Sequence, residues 1–150
     1  MMDANQCNFI IIPSTVYQNF TVLAATLPGL ATEWNNHLEA EYPGASKDWL
    51  NGNGVGSGFG HVDMHIFSSY IADLLARDET ARFTAFFQQV EFMLTCGDSR
   101  TEELTAVGFL EGLQNRLEAL PPAHQRAPHA WLLPVSRRFW DSLSEFWQGK

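Results

Sequence analysis

The residues best suited to chemistry are His61-Val62-Asp63-Met64-His65, in which two imidazoles stand four residues apart. On a helix that spacing turns both rings the same way, so they could share a metal ion. A zinc hydrolase of the H-E-x-x-H type needs a glutamate directly after the first histidine as general base. Val62 stands there instead, and Asp63 falls on the far side of the helix from the imidazole pair. The competing reading has His61 opening a helix after a glycine loop and His65 serving as an ordinary amphipathic side chain. His37 could complete a three-histidine set only through tertiary packing. His61 and His65 therefore stand as bare candidates, with no metal site and no cofactor expected.

Other chemistries find less. Gly54-Val55-Gly56-Ser57-Gly58 leads into a helix start, as a phosphate cradle would. It follows a helix rather than a strand, and no lysine precedes the next helix. Nothing selects a catalytic pair among 17 acidic residues. Cys7 and Cys96 have no recognisable histidine partner and do not form a spaced framework, so free thiols in a reducing cytoplasm are expected.

Composition narrows the classes further. In 150 residues, 9 Lys and Arg face 17 Asp and Glu, for a net charge of −8 and a pI near 4.9. Such a surface repels phosphate backbones, which argues against nucleic acid as a partner. The 11 Phe and 5 Trp exclude a permanently solvated chain. No apolar run approaches the ~18 residues of a membrane span, and no secretory leader is visible, so a cytoplasmic protein without a membrane partner is expected.

These side chains need elements to hold them. Val16, Phe20, Leu23 and Leu27 predict a first helix capped by Ser14 and stopped at Pro28-Gly29. A second runs from Leu30 to Tyr42 and buries Leu30, Trp34 and Leu38. After the glycine-rich loop 51–60, a third covers His61 to Arg77. Asp78 is placed to cap a fourth, with Phe83, Phe86, Phe87, Val90 and Leu94 along its seam. A fifth opens at Asp98 or Ser99, buries Leu104, Val107, Leu110, Leu113, Leu117 and Leu120, and ends at Pro121-Pro122. Residues 121–134, with four prolines, read as an extended strap. Val135 to Gln148 form an amphipathic helix whose Phe139, Trp140, Phe146 and Trp147 either dock on the body or meet another chain. The expected fold is all-α: one domain, 1–150, as a bundle of about five to six mostly antiparallel helices, with an arm at 1–13, a body at 14–120 and the strap and last helix at 121–150.

Several segments carry a resemblance. Leu27-Pro28-Gly29-Leu30, Glu33-Trp34 and His37-Leu38, then Gly60-His61-Val62-Asp63-Met64-His65-Ile66-Phe67, then Cys96-Gly97-Asp98 leading to Ala106-Val107-Gly108-Phe109-Leu110-Glu111-Gly112-Leu113, resemble an uncharacterised bacterial all-helical domain family. The likeness spans residues 27–115. The chain departs from it by a longer glycine loop, by Cys96 in place of serine, and by an extension from Pro121. Some members resemble immunity proteins encoded beside secreted toxins. The resemblance thus implies a helical fold and an immunity role, and it supplies no catalytic residue. Within it, Gly108 and Gly112, four apart, let a neighbouring helix come close.

The expectation is an immunity protein that binds and neutralises a cognate toxin, a basic nuclease in its most specific form, without chemistry of its own. Candidate contacts are Glu33, Glu39 and Glu41, Asp98, Glu102 and Glu103, and the loop around Phe59. Two alternatives remain: a metal protein or enzyme using His61 and His65, and a homo-oligomeric scaffold joined through the C-terminal helix.

Overall fold

The computed structural model describes residues 15–53 and 56–148, without the side chains of 147 and 148. The expected arm, Cys7 and the cap at Ser14 lie outside the described residues. The chain is all-helical. Its elements are α1 (Val16–Ala25), α2 (Pro28–Glu41), the short α3 (Lys47–Leu50), a 3-10 turn (His61–Met64) running into α4 (His65–Ala76), α5 (Phe83–Cys96), and α6 (Ser99–Glu103). A π-helical segment (Leu104–Leu110) then leads into α7 (Glu111–Leu117), followed by α8 (Pro122–Arg126), a second 3-10 turn (Ala127–Ala130) and α9 (Pro134–Gln148). No strand forms among the described residues.

Prolines read as stops turn out to be starts. Pro28 opens α2 instead of ending α1, and Pro122, Pro128 and Pro134 stand in the first turns of α8, the second 3-10 turn and α9. A helix start tolerates proline because its first N–H groups have no partner within the helix. The extended strap expected at 121–134 is therefore corrected to two short helical turns. Asp78 is corrected too. It sits at φ +56° just past α4, where its N–H bonds the Leu75 carbonyl and that of Glu79 bonds Leu74, so it closes α4 and does not cap α5. Asp98 does cap, accepting from the Thr101 N–H at 2.8 Å and its hydroxyl at 2.7 Å.

The core is aromatic at its centre. Trp34 lies 4.8 Å from Phe67 and 5.1 Å from Phe59 between ring centroids, and Phe20 packs on all three. All four are fully buried, each contributing roughly 1.5–3 kcal/mol relative to exposure. Phe59 is drawn in from the described part of the glycine-rich stretch, where Gly58 takes φ +90° and its missing Cβ would lie 3.0 Å from the Gly52 Cα. A side chain there would collide with the returning backbone.

The π-helical segment resets the register of the helix that contains it. Regular α spacing points Val107 inward, yet Val107 is 45% exposed and Phe109 is buried in its stead. Gly108 and Gly112 make the expected close approach: a Cβ on Gly108 would lie 2.5 Å from Met64 Cγ, and one on Gly112 2.8 Å from Ser68 Oγ. The C-terminal helix docks on the body. Trp140 is buried, Gln114 donates to its carbonyl at 2.9 Å, and the buried Glu91 carboxylate accepts from the N–H groups of Val135 and Ser136 and from the Ser136 hydroxyl at 2.7–3.0 Å. A carboxylate set against the first turn of a helix faces unpaired N–H groups and the positive end of the dipole.

Candidate functional site

The segment with most chemical potential lies where the first 3-10 turn meets α2. Asp63, buried, faces inward: His37 Nε2 stands 2.6 Å from its Oδ1, and Oδ2 accepts from the Tyr42 hydroxyl at 2.8 Å and the Gly60 N–H at 2.7 Å. His37 stacks on Trp34 and meets His65 edge to face at 5.5 Å. Burial, then the hydrogen bond to Asp63 and the charges of Asp63 and Glu41, push the Tyr42 hydroxyl up to about 12. The cluster locks the end of α2 to the turn that opens α4. Its carboxylate also occupies the Gly60 N–H, so the phosphate-cradle reading meets a negative charge where the anion would sit.

His61 and His65 both face outward, and His61 Nε2 lies 3.7 Å from Glu103. Among the described residues, no group of three His, Cys, Asp or Glu is placed to hold a metal ion. Asp63 does not join the two imidazoles, because both its oxygens are taken by His37, Tyr42 and Gly60.

The acidic candidates divide. Glu33 and Glu41 flank His37 one helical turn on either side, whereas Glu39 lies nearly opposite on α2; all three are exposed. Glu39 and Glu41 sit in the last turn of α2, which carries no basic residue. Glu102 and Glu103 are exposed on α6, with Glu103 also 3.6 Å from Arg100, while Asp98 is half-buried and engaged as a cap. Phe59 is corrected as a contact candidate: it is wholly enclosed, and Arg100 donates to its carbonyl at 3.0 Å. Cys96 is corrected as a free thiol, since it is disulfide-bonded. The roles of Tyr42, Arg100 and Glu91 went unnoticed in the sequence. A tyrosine after a helix, an arginine in a first turn and a glutamate on an apolar seam reveal their partners only once distant segments meet.

With α9 seated on the body through Glu91 and Trp140, the extension from Pro121 is one packed unit with the rest. The sequence profile of a domain of unknown function, DUF7674, matches residues 20–148 and so includes that extension. The chain belongs to the DUF7674 family. The DUF7674 match reaches well past the 27–115 stretch on which the resemblance rested, so the last helix is part of the domain and not an appendage to it. No curated protein and no solved structure matches the chain.

Proposed function

We propose that this DUF7674 domain is a binding protein that neutralises a basic protein partner, in the manner of an immunity protein acting on a cognate bacterial toxin. The carrying observation is the end of α2. Glu39 and Glu41 are exposed where the helix dipole is negative, with no basic residue in that turn. Carboxylates there oppose the dipole, so they weaken the helix unless something outside it uses their charge. Glu33 on the same helix and Glu102 and Glu103 on α6 are exposed as well, and the summed negative field would speed association with a cationic protein through long-range attraction.

In this reading the molecule is a compact bundle of antiparallel helical neighbours that performs no reaction and needs no cofactor. A nuclease is the specific toxin its charge suits. A homo-oligomeric scaffold built on α9 has less to work with, since Trp140 is spent on the body and Phe146, 55% exposed, lies near the helix end. No helix among the described residues is long and apolar enough to cross a membrane. The disulfide at Cys96 weighs against the cytoplasmic placement, because such bonds persist in oxidising compartments. Thiol alkylation of freshly lysed cells decides between the two.

The test is a double charge reversal, Glu39→Lys with Glu41→Lys, assayed against the toxin encoded beside the gene. Affinity should fall at least about tenfold at about 0.05 M salt and much less at about 0.5 M. The melting temperature should hold or rise, because the dipole is now matched. A salt-independent affinity, or a variant that still protects cells fully, would remove the acidic surface from the mechanism.

A further inference from the structure

The close approach at Gly108 and Gly112 forms the base of a groove of about 550 Å³ between the first 3-10 turn with α4 on one side and the π-helical segment with α7 on the other. One wall carries His61 and His65, and the other Asn115 and Arg116. In a chain of net charge −8, this groove gathers a guanidinium, a side-chain amide and two imidazoles, all able to donate hydrogen bonds. Asp63, between the two histidines in sequence, is turned into the fold and does not line the groove. Glu103 approaches His61 at 3.7 Å but is shared with Arg100 at 3.6 Å, all three side chains being about half exposed. Arg116 takes part in no ion pair among the described residues. Val62, 82% exposed, adds an apolar lip to the groove.

We infer that this groove is a binding site for a small oxyanion, a phosphate or carboxylate group borne on a compact apolar body. Arg116 supplies a planar fork of donors matched to two oxygens of such a group. The imidazoles of His61 and His65 and the Asn115 amide reach it from the sides, and Val62 covers the apolar part. The π-helical segment that shapes one wall is a distortion common at functional sites in helices. The inference does not rest on the protein-partner reading, which uses α2 and α6, and each can fail without the other.

The experiment is a titration of the purified chain with sodium phosphate and, separately, sodium acetate, followed by the NMR signals of the His61 and His65 rings and the Arg116 side chain, with sodium chloride at matched ionic strength as the control. A saturable shift confined to the groove is expected with one of the two anions, and which one identifies the source of the oxyanion. Arg116→Gln should weaken that binding about tenfold, the usual effect of losing a charge-assisted contact. Arg116 is exposed, so the variant should keep the parent's amide spectrum elsewhere; if it does not, His65→Gln serves as the second variant and should weaken binding by a smaller factor. Shifts equal to those with chloride, no saturation with either anion, or unchanged affinity in the folded variants would overturn the assignment.

Discussion

Asp63 and Tyr42 show at the residue scale how a group suited to catalysis becomes part of the frame. The carboxylate takes hydrogen bonds from His37, Tyr42 and Gly60 and is buried, so both its oxygens are engaged within the fold. The phenol bears the measurable consequence. Burial and the neighbouring carboxylate push its pKa up from an ordinary value of 10.0 to about 12 in the fold. Between those limits the unfolded chain loses the proton while the folded chain keeps it, so the Tyr42 contribution is whole below pH 10 and declines as the pH rises toward 12. Urea denaturation of the parent and of Tyr42→Phe should therefore give stabilities whose difference shrinks over that interval; a difference constant with pH would contradict this account. The sequence picked out His37, Asp63 and His65 but grouped them as potential ligands. The spacing of Asp63 and His65 describes one local element, whereas the His37 bond that fixes the role of Asp63 spans 26 residues and belongs to tertiary packing.

The helices were legible as elements because apolar spacing at 3.6 residues records which face is buried. Trp34, Phe67, Phe86 and Leu113 all lie inside as that spacing demands. The departures have local causes: proline beginning a helix as readily as ending one, aspartate adopting a left-handed backbone after α4, and a π-helical stretch that no periodic pattern encodes. That stretch also makes the crossing at Gly108 tight. Alanine is the better helix former by up to about 1 kcal/mol, yet its methyl would meet Cγ of the fully buried Met64 at 2.5 Å. The steric term should win. Gly108→Ala is expected to lower stability by about 1–3 kcal/mol in urea denaturation, the usual cost of an overfilled core. A stabilised variant would mean that Met64 moves aside freely.

Across the whole molecule, the general acidity was visible in composition, but which acids face outward was not. Asp63 and Glu91 are counted in the same net charge as Glu39 and Glu41 and do an opposite job, since they join segments from within. Glu91→Ala should release α9, lowering stability by about 3 kcal/mol, because three donors and an emptied cavity are left behind. Limited proteolysis should then cut first at the start of that helix, and resistance equal to the parent's would show that Trp140 alone secures it. The same bond orders events during synthesis. The donors that satisfy Glu91 come 44 and 45 residues after it, so a ribosome must add that much further chain before this carboxylate can be paired. Until then its seam must stay hydrated, an ionised group being too costly to enclose alone. The domain is therefore sealed last along α5, and a transcript cut short before codon 135 would yield a chain with its phenylalanine seam open to aggregation.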